Sequence, residues 1–418
     1  MMYCVERRWA LDRQMDREYL MPLKLPSASS INSHGSKKGR STFLKRLFLV
    51  FAAILTLLAL LYVPVYHSAQ GPLQGVGEIP IPSSAGGSKS VTSVAQLSGW
   101  ADNITRDVRI YVQPENNTTI ISPVEICSTP PILIIVVCSS ISNQKARDAI
   151  RDTWANKTNL ENYNATVEVA FLVGESSNDT LNENIENESL QYKDIIQEKF
   201  LDTYNNLTIK SIMMLKWVTS NCGQAQYLMK TDDDMFVNVP VLIKLLQARP
   251  KANGALIGSL ICHAKPITDP KNKWFMPKYM YAERTYPNYL SGTGYVMSLD
   301  VASKLYATAL DTQLIYLEDV YLTGICARRA KLQPTNHPGF SFVARKLDPC
   351  VFRDVITAHR VSASNLYAMW KRVNNSTLKC VAPTASSASV KKQPRLSRKE
   401  RIARYNLNHG RSVVAKCV

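Results

Sequence analysis

The chain has 418 residues, 45% of them hydrophobic, and a formal net charge of +17. That is enough for a large globular domain with appendages. The charge is concentrated at the ends, +6 over residues 1–46 and +8 over residues 391–418, which argues against a nucleic-acid binder with basic residues spread over a folded face.

Residues 1–46 read as a basic cytoplasmic tail. Residues 47–66, "LFLVFAAILTLLALLYVPVY", contain no charged residue. As a helix of about 30 Å they would match one hydrocarbon core. A cleaved signal peptide fits poorly, because the apolar run is long and starts late. A buried core helix fits poorly too, since the run has no polar face. Lys37, Lys38, Arg40, Lys45 and Arg46 precede it, and no charge follows until Glu78. The positive-inside rule therefore places the N-terminus in the cytosol and the bulk of the chain across the bilayer. Ten Asn-x-Ser/Thr sequons follow the span: Asn103, Asn116, Asn117, Asn156, Asn164, Asn178, Asn187, Asn206, Asn374 and Asn375. Such acceptors are modified only on the lumenal side. Eight of nine cysteines also follow it, without zinc-ligand spacing, as a disulfide-permissive compartment allows.

Residues 67–125 are rich in Gly, Pro, Ser and Asn and read as a flexible stem. Order is expected over 126–380. "PPILIIVVCSS" has the continuous apolar, β-branched character of a strand buried on both faces. "NQKARDAIRDTWAN" has helical spacing through Ala146, Ile150 and Trp154. "TVEVAFLVG" reads as a second strand. "LTIKSIMMLKWVTSNC" reads as a helix with Ile209, Met213 and Trp217 on one stripe. "QYLMK" reads as a third strand ending at Asp232. "VPVLIKLLQAR" reads as a helix capped by Asn238, and "GALIGSLI" as another strand. The alternation predicts an α/β domain with a mostly parallel central sheet, whose ligands bind beyond the carboxyl ends of the strands. Residues 381–418 are polar and basic and carry no core-forming pattern.

"YLMKTDDDMFVN" puts Asp232, Asp233 and Asp234 at such a strand end. Like charges about 4 Å apart repel by roughly 4 kcal/mol at an effective dielectric near 20. A solvated turn needs one Asp, not three. A hard cation, Mg2+ or Mn2+, with substrate phosphates completing its shell, explains the triplet better. Glu318 and Asp319 in "YLEDVYLTGIC" are acids at a helix start, or a general base and its neighbour. Gly292 and Gly294 in "YPNYLSGTGYVMS" mark a tight turn, or a close backbone approach to a ligand flanked by Tyr286 and Tyr289. His359 becomes a metal ligand only if the fold carries it to the aspartates.

Taken together, "RDAIRDTW", "FLVG", "FLDTYNNLTIKSIMMLKWV", "YLMKTDDDMFVN", "KWFMPKYMY", "YPNYLSGTGYVMS", "LEDVYLTGIC" and "VITAHRVS" resemble, in order, the β-1,3-galactosyltransferase family of Golgi type II membrane enzymes. The resemblance covers about Ile132 to Cys380. It implies a GT-A type nucleotide-sugar-binding domain and inverting transfer of galactose from UDP-galactose to the 3-hydroxyl of an acceptor sugar on a glycoprotein or glycolipid. It implies Asp234 and His359 as ligands of Mn2+, with Mg2+ the alternative ion. Asp232 and Asp233, together with Arg147, Arg151 and Trp154, would face the nucleotide-sugar. Trp274, Tyr286, Tyr289, Gly292 and Gly294 would line the sugar sites, and Asp319, beside Glu318, would be the base. The same scaffold would serve β-1,3-N-acetylglucosaminyl or N-acetylgalactosaminyl transfer. A non-catalytic lectin-like protein would be free to lose Asp234 or Asp319. A glycosidase also needs two carboxylates, but not the Asp triplet beside a metal. One departure is Leu290, where many relatives have Cys. With Cys262 present, the pairing of Cys222 is expected to have moved or been lost.

Overall fold

The structure, a computed structural model, describes residues 95–380. The expectations for the cytoplasmic tail, the 47–66 span, the first part of the stem and the C-terminal tail lie outside these residues. Among the described residues, no helix is long and apolar enough to cross a membrane.

Continuous apolar runs become buried strands, as their composition requires. Strand β2 (Leu133–Cys138) is fully buried. Its Ile134, Val136 and Cys138 enter one apolar cluster and Leu133, Ile135 and Val137 the other, so the sheet is covered on both faces. Beside it run β3 (Val167–Glu175), β4 (Ile195–Leu201) and β5 (Tyr227–Asp232), in the order β4-β3-β2-β5, all parallel. β8 (Tyr289–Ser298) then runs antiparallel to both β5 and β7 (Leu256–Ile261). Edge strands β1 (Thr119–Ile121) and β9 (Thr335–Asn336) complete eight strands. The sheet is thus parallel at its centre and mixed beyond β5. The stretch "YLSGTGYVMS", whose glycines suggested a turn, is a ten-residue strand. No residue of it has a positive φ. Of its glycines, Gly292 answers close packing, not chain reversal.

Helices cover both faces. On one side lie α5 (Leu207–Asn221) and α7 (Leu299–Leu310). On the other lie α2 (Gln144–Asp152), α6 (Val239–Gln247) and α9 (Ala363–Val373), with short α3 (Lys157–Glu161), longer α4 (Asp179–Tyr192) and α8 (Pro349–Asp354) beside them. Helix α5 is buried nearly all round from Thr208 to Val218, more than a single stripe. Helix α2 ends at Asp152, so Trp154 lies beyond it. Asn238 caps α6 as expected, accepting from Val241 N, and its amide also donates to the carbonyls of Phe352 and Arg353.

Residues 95–125, expected as part of a flexible stem, pack on the domain. Trp100 is buried, and its indole donates to the Asn205 carbonyl at 2.9 Å. Val108 and Val112 of α1 (Val108–Val112) join the same core. Arg106 donates to the Met280 and Leu314 carbonyls. The hydroxyls of Thr118 and Thr119 satisfy buried Glu198 on β4, at 2.8 and 2.7 Å. That acid in mid-strand, flanked by Gln197 and Lys199, also hides β4 from a hydropathy reading. Cys222 is bonded to Cys127 of this segment, so its pairing is not lost; Cys262 is disulfide-bonded as well, and Cys350 is bonded to Cys380.

Trp100→Ala removes a buried aromatic together with its hydrogen bond. It should lower unfolding free energy by roughly 3–5 kcal/mol, read as an earlier denaturant midpoint. A stem that only tethers would leave the midpoint unchanged.

Candidate active site

The parallel strands end at one edge, and β5 delivers the aspartates there. The register Lys230↔Tyr295 and Thr231↔Gly294 makes antiparallel β8 bring Gly292 to the same edge. Between the two strands sits Lys230, whose side chain is fully buried. Its ammonium donates to Asp232 Oδ1 at 2.6 Å and to the Gly292 carbonyl at 2.5 Å, and it lies 3.7 Å from Glu318 Oε2. Burial alone would lower the pKa of this lysine. The two carboxylates outweigh that and hold it above its ordinary value, so it is charged. Asp232 in turn is raised by burial, against the pull of Lys230.

Asp233 is held from the other side. It accepts from Ser139 Oγ at 2.8 Å and Asn143 Nδ2 at 2.9 Å. Ser139 follows β2 directly. Its hydroxyl accepts from Arg147 Nη1 at 3.0 Å, and its carbonyl accepts from Lys210 Nζ at 2.7 Å. Arg147 is buried. Its remaining donors go to both oxygens of Glu188 and to the carbonyls of Ser140 and Ile141. All five N–H groups are thus used within the protein. Arg151 bonds Asp148, Asp194 and Glu188, with its guanidinium 4.0 Å from the Tyr192 ring centroid. Trp154 is fully buried and donates to the Met235 carbonyl. The expectation that these three face a nucleotide is therefore corrected. Their polar atoms are turned inward, and Arg147 reaches the site only through Ser139.

Asp234 meets His359. Strand β6 (Met235–Val237) pairs antiparallel with β10 (Thr357–His359), with His359 opposite Met235. His359 Nε2 is 3.3 Å from Asp234 Oδ2, and its Nδ1 is 2.9 Å from the Phe342 carbonyl. Val361 N donates to the Asp234 carbonyl. Burial would raise the Asp234 carboxyl, but His359 outweighs it and the pKa is lowered. When neutral, an imidazole anchored through Nδ1–H to a carbonyl presents its Nε2 lone pair instead, which is how a metal-ligating histidine is held. A half-exposed carboxylate facing that lone pair fits a divalent cation. Among the described residues, no group of three or more His, Cys, Asp or Glu could hold a metal alone. Asp234 and His359 would therefore need oxygen ligands from a substrate or water.

Glu318 and Asp319 precede a π-helical segment, Val320–Cys326, that continues into Ala327–Arg329. They have different environments. Glu318 is buried, accepts from the Tyr295 hydroxyl and faces Lys230. Burial pushes its pKa up to about 7, with Lys230 opposing and Asp319 adding. Asp319 is partly exposed and accepts from Gly292 N at 3.1 Å and Val320 N at 2.9 Å. Burial raises its pKa as well, those two N–H groups opposing. A Cβ at position 292 would stand 2.9 Å from Glu318 Oε2 and 3.2 Å from Asp319 Cβ. The acid pair thus leaves no room for a side chain at position 292. Gly294 packs beside Thr231 with room to spare.

Tyr286 is buried, tilted on Tyr281 and edge-on to Tyr289. Its hydroxyl has no hydrogen-bond partner among the described residues. Trp274 donates to the Tyr204 hydroxyl at 3.1 Å, and the Tyr316 hydroxyl donates to the Lys273 carbonyl. Tyr316 stands three residues before Asp319. Sequence reasoning missed Lys230, Ser139, Asn143, Glu188 and Tyr204. Only Lys230, a cation inside an apolar strand next to three acids, left a readable signal. Eight of the ten sequon asparagines (Asn103, Asn116, Asn117, Asn164, Asn178, Asn187, Asn374 and Asn375) are exposed, and Asn156 and Asn206 are half-buried.

A galactosyltransferase family model matches residues 145–338. Beta-1,3-galactosyltransferase 1 of Mus musculus is 38% identical over 246 residues, covering 59% of this chain and 74% of that protein. Beta-1,3-galactosyltransferase 5 of Homo sapiens is 37% identical over 255 residues, covering 59% and 80%. A solved glycosyltransferase involved in glycosylation of the PBCV-1 major capsid matches at TM-score 0.32 and 9% identity, over 57% of this chain and 98% of that one, a likeness too slight to argue from.

The raised pKa of Glu318 has a signed consequence. Between its ordinary value of 4.5 and about 7, the folded state holds a proton that the unfolded state has released. This group's share of stability therefore falls as pH rises through that window and stays lost above it. Glu318→Gln cannot titrate and should flatten that part of the slope. Denaturant midpoints from pH 4.5 to 7.5 for both proteins check this, and parallel curves would refute it.

Proposed function

The chain belongs to the β-1,3-galactosyltransferase family and is a glycosyltransferase, and from that premise we propose that it transfers galactose from UDP-galactose, with inversion, to the 3-hydroxyl of an acceptor sugar on a glycoprotein or glycolipid. One observation carries the reading. The buried ammonium of Lys230 touches Asp232 and lies beside Glu318, so the Asp triplet and the Glu318–Asp319 pair belong to one site.

The two carboxylate sets divide the work. Asp319 has the exposure that Glu318 lacks, and two backbone N–H groups fix its orientation. It takes the proton of the acceptor hydroxyl as that oxygen bonds to the anomeric carbon. The bond from that carbon to the diphosphate oxygen breaks, and its electron pair leaves with UDP. A single displacement inverts the centre and needs one base, on the face away from the leaving group. Asp234 and His359 would hold Mn2+, which when bound stabilises charge on the departing diphosphate. Asp232 and Asp233, held by Lys230 and by Ser139 with Asn143, present fixed acceptors to the nucleotide-sugar. The α/β sheet with its site at the strand ends is consistent with a GT-A domain.

The proposed setting is the Golgi lumen, with residues 47–66 as a type II signal anchor in the bilayer. The uncharged run behind a basic flank, the sequons that follow it and the disulfides Cys127–Cys222 and Cys350–Cys380 support that placement.

Asp319→Asn should abolish Mn2+-dependent transfer while leaving the thermal midpoint near wild type; turnover at the wild-type rate would exclude Asp319 as the base. A screen of UDP-galactose, UDP-N-acetylglucosamine and UDP-N-acetylgalactosamine against an acceptor panel identifies the donor, and preference for either amino sugar would overturn galactose.

His359→Ala should weaken Mn2+ activation by roughly 10- to 100-fold, measured as the Mn2+ concentration for half-maximal activity. An unchanged Mn2+ curve would remove His359 from the metal site.

A further inference from the structure

Helix α3 and the end of α9 enclose a groove of about 350 Å3 lined by Asn159, Asn162, Tyr163, Trp370 and Asn374. No group of the active site lines it. Its composition is specific: two aromatic rings among three primary amides. Flat aromatic faces suit the apolar face of a pyranose, and planar amides suit its hydroxyl and acetamido groups. The Tyr163 hydroxyl and the Trp370 indole N–H make no hydrogen bond among the described residues, although both side chains are half-buried.

Four sequons lie at or within three residues of these lining residues in the sequence. Asn156 uses its side-chain oxygen to cap α3, and Asn164 follows Tyr163 directly. Only Asn374 is both a sequon asparagine and part of the lining. It closes α9, and its Nδ2 donates to the Trp370 carbonyl at 3.0 Å. A glycosylated asparagine nitrogen keeps one hydrogen, so this bond survives modification and directs the attached sugar along the last helical turn. The overlapping sequon at Asn375 is oriented differently. Its oxygen accepts from both the N–H and the hydroxyl of its own Thr377.

We propose that Asn374 carries an N-linked glycan whose first N-acetylglucosamine seats in this groove, against Trp370 and Tyr163. The inference rests on the lumenal placement proposed above. The sugar ties α3 to α9. Helix α9 follows the segment His359–Val361, which holds Asp234, so the glycan braces the metal side of the site from behind.

The test uses the full chain from secretory cells. Glycopeptide mass spectrometry should find Asn374 occupied. Under native conditions an amidase should release its glycan about tenfold more slowly than the glycan on exposed Asn187, a difference equal to about 1.4 kcal/mol, and denaturation should abolish that protection. Trp370 also packs near Phe236, so the groove is altered instead at its rim. Asn159→Lys should remove the protection and leave occupancy intact. Equal native release rates overturn the proposal, as does a glycan on Asn375 in place of Asn374. Glycans at other sequons but not Asn374 overturn it alone, whereas no glycan at any sequon overturns the lumenal placement with it.

Discussion

One buried ammonium makes the rest of this site affordable in electrostatic terms. Lys230 lies inside a central strand with no exposure, held by Asp232, the Gly292 carbonyl and the nearby Glu318. A lone charge there would be strongly disfavoured. Here the lysine and the carboxylates compensate one another, and each is expensive without its partners. The lysine also joins β5 to β8 and both to the acid pair before the π-helical segment. The Asp232–Asp234 triplet and the Glu318–Asp319 pair are therefore held together by one side chain on a central strand. The same crowding explains Gly292, since any Cβ there would collide with the Glu318 carboxylate.

A second network supports the first. Asp202 pairs with Lys210 at 2.7 Å, and Lys210 bonds the Ser139 carbonyl. Glu188 receives Arg147 and Arg151 together. Burial would raise the Glu188 carboxyl, but the guanidiniums outweigh it and hold its pKa below the ordinary range. The chain just after β2 is thereby fixed, and its Ser139 and Asn143 orient Asp233. Charges that look like ligand contacts are in this case the frame that aims the contacts. The rule is general: a guanidinium whose five donors are satisfied internally has none left for a phosphate.

Strands β2, β3, β5 and β7 and helices α2, α5 and α6 were legible, because hydrophobic runs and a capping Asn leave local signals. The aspartate triplet stood out because adjacent acids between apolar runs are costly without a purpose, whereas Glu318–Asp319 read equally as acids at a helix start. Strand β8 was not, because its glycines signal turns locally and the crowding that explains Gly292 comes from Glu318 and Asp319. The segment 95–125 was not, because Trp100, Val108 and Thr118 are too sparse to read as core until β4 and α5 receive them. Trp154 and the two arginines carried the right motif but the wrong orientation, since a motif does not say which way a side chain points.

The sequence by itself determined an α/β domain, the family, the acids at a strand end and the separate basic ends, all properties of local pattern and composition. Tertiary structure alone decided which acid is free to act and which is locked. It also decided that His359 stands beside Asp234, that Cys222 is bonded to Cys127, and that Arg147 serves the site at one remove. The physical reason is that these facts depend on pairings between residues tens to more than a hundred positions apart. Strand register and burial fix those pairings, and neither is written in the neighbourhood of either residue.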